Sequence, residues 1–306
     1  MTYEAQQLPI RFIEVTGVRR ITPRMARITF GGADLADFRI AGPDQQVKLY
    51  FPKPGQARPR LPERGGDGTG DTDGAHGDLI RWYEAYTALP EAERPWMRSY
   101  TVRAHHPQEA AVDIDFVLHG DSAQDAASAD GPATRWAAAA QPGDVLGMFG
   151  PSAYFTKPVP LGTTDWTLLA GDESALPALG TIIEALPEGA RATAYVEIAD
   201  ADEEQAFTTE GDVTVHWLHR AAGPAGHGSL LLDAVRAAEF PAGSVYAWLA
   251  GESGAVRGLR RHLVDERGID KSAIDFAGYW RRRLTRDDAP TAEDLADAQE
   301  LLGREA

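Results

Sequence analysis

Arg98-Ser99-Tyr100-Thr101-Val102-Arg103 decides how this chain is to be read. Side chains alternate along a strand, so Tyr100 and Val102 share one face while Arg98 and Ser99 fall on opposite faces. An aromatic ring, two hydroxyls and a guanidinium on so short a strand suit a ligand that carries both a flat ring and a phosphate. The ring stacks, and the guanidinium pairs bidentately with phosphate oxygens. The same residues also make an ordinary strand of good β formers, so the neighbouring segments have to decide.

Upstream, residues 10–20, 24–30 and 46–51 read as strands, separated by Thr22-Pro23 and Gly31-Gly32 and stopped by Pro52. Downstream, 112–120 alternates apolar with polar, and 145–151 follows the turn Gln141-Pro142-Gly143-Asp144. Short strands joined by Gly/Pro turns predict an antiparallel barrel. Between the last two strands, Gly131-Pro132-Ala133-Thr134-Arg135-Trp136-Ala137 opens a helix whose first N–H groups suit a pyrophosphate. Residues 55–78 are rich in Gly and Asp and predict a mobile insertion, with a short helix over 79–89 after it. Asp71 and Asp73 hint at a calcium loop, but position twelve is Trp82 where a bidentate Glu is required.

From about residue 160 the pattern changes. Apolar strands over 165–170, 192–198, 213–218, 245–249 and 274–279 alternate with helices near 176–186, 229–238 and 255–267. That alternation predicts a mostly parallel, doubly wound sheet, which binds ligands at the carboxyl ends of its strands. The expected domains are therefore 1–158, 159–284 and an acidic helical extension over 285–306.

Two strand ends carry similar residues: Gly171-Asp172-Glu173-Ser174-Ala175 and Gly251-Glu252-Ser253-Gly254. The plain reading makes Ser174 and Ser253 helix caps; the functional one makes the glycines room for a nucleotide. Neither stretch is the Gly-x-Gly-x-x-Gly fingerprint, and no Gly-x-Ser-x-Gly elbow marks a nucleophile. The 306 residues include no cysteine, and the histidines lack metal spacing, so no metal site is expected. A net charge of −16 argues against nucleic acid as a partner. No membrane span or secretion signal is read, and a cytoplasmic monomer is expected.

In register along nearly the whole chain, the residues resemble the siderophore-interacting proteins, flavin-dependent ferric-siderophore reductases of the ferredoxin-reductase-like superfamily. Val47-Lys48-Leu49, the Arg98 strand, Asp115-Phe116-Val117-Leu118-His119-Gly120 and Gly131–Ala137 match the flavin domain. Ala170–Ala178, Ala250-Gly251-Glu252-Ser253 and Gly278-Tyr279-Trp280-Arg281 match the second domain. The resemblance implies an N-terminal antiparallel β-barrel holding FAD and a C-terminal α/β domain binding NADH or NADPH. It implies FAD contacts from Arg98, Ser99, Tyr100 and Thr101, from Asp115, Val117 and His119, and from Gly131, Pro132, Ala133, Thr134, Trp136 and Ala137. Asp172, Glu173, Ala175, Tyr279 and Trp280 would approach the flavin from the second domain. Gly171, Ser174, Gly251, Glu252 and Ser253 are the candidate nicotinamide-nucleotide contacts.

Glu197, followed by Asp200, Asp202, Glu203 and Glu204, predicts a preference for NADH, since acids repel a 2′-phosphate and an acid can bond a ribose hydroxyl. Lys48, Arg103 and Arg135 are the candidate contacts for an anionic ferric siderophore. No obligatory acid–base residue is expected, and ferredoxin is an alternative donor. Rival readings are a general flavin reductase of the same superfamily and a non-enzymatic ferric-siderophore binding protein.

Overall fold

The computed structural model describes residues 10–62, 74–118, 131–151, 158–220, 225–226 and 229–282, with the side chains of 74–79 left aside. His119, residues 63–73 of the glycine-rich insertion and the tail 285–306 lie outside the described residues. The chain divides into two compact units, Met1–Val159 and Pro160–Ala306.

The first unit contains β1 (Ile10–Thr22), β2 (Met25–Gly31), β3 (Gln46–Phe51), α1 (Gly74–Thr87), β4 (Trp96–Thr101), β5 (Ala104–His106), β6 (Ala111–Val117), α2 (Pro132–Ala139) and β7 (Val145–Phe149). The strands form one antiparallel sheet in the order β4-β3-β7-β1-β2-β6-β5. Its first and last members, β4 and β5, are separated in sequence by only Val102 and Arg103. The three Cα steps from Thr101 to Ala104 cannot span more than about 11 Å. The sheet therefore has to curl until its edges meet, and the result is barrel-like without hydrogen-bonded closure among the described strands. Alternating inward residues fill it: Ile13 and Val15, Ile28 and Phe30, Leu49 and Phe51, Ile114 and Phe116, Leu146 and Met148 are all buried together.

Helix α1 begins at Gly74, inside the stretch that composition alone assigns to a mobile insertion, and ends at Thr87. Trp82 and Tyr86 explain why this part of the insertion is ordered. Both rings pack edge-on against Tyr50, at centroid distances of 5.5 and 5.4 Å, in a small core with Ile10 and Phe149.

The second unit contains β8 (Trp166–Asp172), α3 (Leu176–Glu184), β9 (Arg191–Ile198), β10 (Asp212–His219), α4 (Leu230–Ala237), β11 (Val245–Glu252), α5 (Ser253–Arg261) and β12 (Ile274–Trp280). All four pairings are parallel, in the order β10-β9-β8-β11-β12. Trp166, Leu168 and Ala170 of β8 face the core made with α4 and α5. Gly171 points the other way, where a Cβ would meet Ala175 at 2.6 Å and Leu179 at 3.5 Å, so α3 covers the opposite face. Strands β8, β9 and β10 step outward in one direction from β8, and β11 and β12 step in the other. The switch point lies between β8 and β11, with their carboxyl ends side by side.

Candidate functional site

In the first unit the candidate residues gather at the seam of the sheet. β4 pairs with β3, and its other edge has no ladder partner among the described strands. β6 pairs with β2 along its length and with β5 only through Ala111–Asp113, which leaves the edge from Ile114 to Val117 without a ladder partner among them. Across this gap Tyr100 packs on Phe116 with ring centroids 4.5 Å apart, and burial pushes its phenol well above the ordinary range. Arg98, Ser99 and Tyr100 are half-buried and Thr101 is buried, so β4 departs from simple alternation because it sits at an open seam. The strand ends at Thr101, two residues short of the expected end.

Gly131 precedes α2, and Pro132 opens its first turn, a position where the missing N–H costs nothing. A Cβ added to Gly131 would meet nothing within 4 Å among the described residues. Ala133 and Ala137 face inward and are buried in the barrel core. Trp136 stacks on Phe30 at 6.2 Å and meets Phe51 edge-on at 5.5 Å. These three side chains seat the helix. A ligand at this end would be met by the backbone of 131–134 and by the half-buried Thr134.

Asp115 takes another part. Its side chain is 1% exposed, and Arg27 binds it in parallel through Nε at 2.7 Å and a terminal nitrogen at 2.8 Å. Arg103 Nε lies 3.9 Å from the same carboxylate. Arg103 thus belongs to a buried cluster, behind Lys48 and Arg135. Lys48, on the neighbouring strand, donates to Ser99 Oγ at 2.9 Å, and Arg135 is exposed on α2. Val117 is half-buried at the end of the free β6 edge.

In the second unit, both Gly–acid–Ser stretches flank the switch point. Asp172 ends β8 and is buried, yet four donors reach it. Oδ1 accepts from Ser174 N at 2.9 Å and Ser174 Oγ at 2.5 Å; Oδ2 accepts from Glu252 N and the Trp280 indole, each at 2.8 Å. Burial, reinforced by the charge of Glu173, raises this carboxyl above its ordinary range against the pull of those donors. Gly251 passes directly beside it with φ +138°, and a Cβ there would stand 2.6 Å from Oδ2.

Neither serine acts as the cap its position suggested. Glu252 caps α5 by accepting from Ala255 N at 2.9 Å, and α3 begins with no side-chain cap. Ser253 Oγ donates instead to the Trp280 carbonyl at 3.1 Å. Tyr279 meets Trp248 edge-on at 6.5 Å, and Ala175 is buried under α3.

Sequence reading missed Arg220, just past β10. Its side chain is 4% exposed, pairs with both oxygens of Glu173 and lies 3.7 Å from Glu197. Burial alone would lower Arg220, but Glu173 and Glu197 outweigh it and hold the guanidinium above its usual value. Glu197 is raised by burial, which Arg220 only partly offsets. The local signal was weak: a lone arginine before a glycine-rich turn reads as surface. Of the other acids, Asp200 caps its own turn, Glu203 is buried and Glu204 holds His219 at 2.8 Å.

Comparisons with known proteins match this two-part arrangement. Residues 14–155 match the model of the siderophore-interacting FAD-binding domain, and residues 164–283 match that of the siderophore-interacting protein. A siderophore utilization protein from T. fusca superposes with a TM-score of 0.72 and 36% identity, covering 94% of this chain and 98% of that one. Ferric vibriobactin reductase ViuB of Vibrio cholerae is 29% identical over 92% of this chain and 93% of its own length. The NADPH-dependent ferric-chelate reductase of Escherichia coli K12 is 29% identical over 90% and 94%. A ferredoxin NADP+ reductase from Neisseria gonorrhoeae, 13% identical with a TM-score of 0.53, shares the ferredoxin-reductase-like fold. Both halves of the chain, each with its strand-end motifs in place, belong to the siderophore-interacting protein family.

Proposed function

We propose that this protein carries electrons from a nicotinamide nucleotide, through FAD, to the iron of a ferric siderophore. The observation that carries the reading is the pairing of two sites within one family match. One is an open β4/β6 seam beside the start of α2; the other is a glycine-flanked switch point in a parallel sheet. The seam residues fit FAD: a guanidinium and a ring on β4, a buried hydroxyl at Thr101, and, among the described residues, nothing within 4 Å of a Cβ placed on Gly131. FAD supplies the step between a two-electron hydride donor and a one-electron acceptor.

The chain's own residues bind and orient. Arg98 offers charge to the phosphates, and the N–H groups of 131–134 receive them at the positive end of α2. Tyr100 and Thr101 line the ring slot and keep water from it. No residue has to move a proton, and rate comes from holding the partners in contact geometry. Oxygen donors hold Fe(II) less tightly than Fe(III), so reduction releases the metal. Lys48 and Arg135 draw an anionic ferric siderophore to an otherwise acidic surface.

NADH is the preferred donor in this reading. Arg220 is one guanidinium among Asp172, Glu173 and Glu197, so the corner stays negative and opposes a 2′-phosphate. The test is the visible spectrum of the purified protein, followed by anaerobic NADH and then a ferric siderophore. A two-peaked flavin spectrum that bleaches with NADH and returns with ferric siderophore supports the reading. A colourless protein that cannot be reconstituted with FAD overturns it. Bleaching by reduced ferredoxin and not by NADH moves the donor.

A further inference from the structure

We infer that Asp172 is a positioning residue for Trp280, holding the indole at the switch point as the ring wall of the nicotinamide-nucleotide site. The role of the wall rests on the reading above; the link itself rests on geometry alone.

A buried carboxylate is costly to place, and an apolar residue would fill the same space more cheaply. The chain nevertheless puts one between three strand ends and gives it four donors: Ser174 N and Oγ, Glu252 N and Trp280 Nε1. The bonds to Glu252 and Trp280 join residues 80 and 108 positions away, so the contact organises the site and not merely a turn. Trp280 is pinned at a second point, where its carbonyl accepts from Ser253 Oγ at 3.1 Å.

Three glycines make room for the assembly. Gly251 lies against Asp172, a Cβ on Gly226 would stand 2.7 Å from the outer edge of the Trp280 ring, and a Cβ on Gly278 would strike Ser253 Oγ. A ring fixed through its N–H is held in one plane, which is what stacking on a flat nicotinamide ring requires. Both oxygens of Asp172 are taken by donors, so its role in the reaction is exercised through Trp280.

The test uses the FAD-loaded full-length protein and the indole N–H signals of its 7 tryptophans in proton–nitrogen correlation spectra. Trp280→Phe identifies the Trp280 signal by its loss. In Asp172→Asn that signal is expected to shift and to exchange with solvent about tenfold faster or more, as loss of a charge-assisted bond requires. The KM for NADH is expected to rise about tenfold with FAD retained, and the effect is expected to vanish in a Trp280→Phe background. Ser253→Ala, which leaves the carboxylate intact, is expected to give a weaker form of both effects and serves if Asp172→Asn does not fold. An unmoved indole signal overturns the inference, as do KM effects of the Asp172 and Trp280 substitutions that simply multiply. A wild-type protein that neither binds nor oxidises NADH overturns the donor assignment and the wall role with it. The indole signal then still decides whether Asp172 holds Trp280.

Discussion

Arg27 and Asp115, 88 residues apart in the chain, meet as a parallel fork with N···O distances of 2.7 and 2.8 Å across the β2–β6 ladder. Because the Asp115 side chain is 1% exposed, removing its partner leaves a buried charge that Arg103, at 3.9 Å, compensates only in part. Arg27→Ala is therefore expected to destabilise the first unit by about 3 kcal/mol. Arg27→Lys, which keeps charge but loses the fork, should fall between. Urea unfolding followed by flavin release measures both. Midpoints equal to wild type would show that the pair contributes nothing.

At the seam, Arg98→Ala and Tyr100→Ala should separate the two ends of the flavin. Loss of a charge-assisted phosphate contact costs about 1.5–3 kcal/mol, or roughly 10- to 150-fold in FAD affinity. Loss of the ring at 100 should shift the flavin absorption envelope as well, since Tyr100 lies 4.5 Å from Phe116 at the slot itself. Equilibrium dialysis with FAD and the bound spectrum check the two effects. Full retention of FAD in Arg98→Ala would remove that residue from the site.

Gly251→Ala tests the crowding at the switch point. At φ +138° an L side chain is strained by about 1–3 kcal/mol, and its Cβ would press on Asp172 Oδ2. Flavin reduction by NADH should fall at least tenfold while FAD binding in the other unit is retained. A rate unchanged within twofold would mean the crevice is not used.

Glu197 makes the stability of the second unit depend on pH. Its folded value is raised, mainly by burial, so the folded chain binds more protons than the unfolded chain between the ordinary carboxyl value and the raised one. Its contribution to stability is most favourable at low pH and is lost as pH rises through the folded value. Glu197→Gln should then gain stability relative to wild type on going from pH 4.5 to pH 8. The same substitution removes one negative charge from the corner of Arg220, so the ratio of NADPH to NADH efficiency should rise. Thermal melts at the two pH values and paired kinetics report separately. A flat pH difference would contradict the burial argument, and an unchanged ratio would place the ribose elsewhere.

The strand and helix order was legible because most elements carry their own signal: β-branched residues in β1, alternation in β2 and β6, a continuous apolar run in β8, an apolar stripe in α3. The glycines at 171 and 251 were legible as positions without room for a side chain, but the sequence assigned that room to a nucleotide, whereas Ala175 and the Asp172 carboxylate stand there. What a polar side chain bonds to was not legible. Ser174 and Ser253 sit where caps sit, yet Asp172 and Trp280 take them, and the latter choice depends on strand ends brought together only by the sheet order. Asp115 and Arg103 carry the residue types of a binding edge, and it took the β2–β6 register to show Arg27 opposite. The start of α1 at Gly74 was hidden for a similar reason: Trp82 and Tyr86 order it by reaching Tyr50, far away in sequence.

The link Val102-Arg103, which joins the two outermost strands of the first sheet, has a mechanical consequence. Arg103 N bonds Asp113 O at 2.8 Å, so β4 and β6 are stitched at one end, and their free edges part only beyond it. The seam is sewn at that end and bridged further along by Tyr100 against Phe116. The two strands therefore cannot shear past each other without breaking a backbone bond and separating two packed rings, so any loosening of the barrel here must begin at both places together.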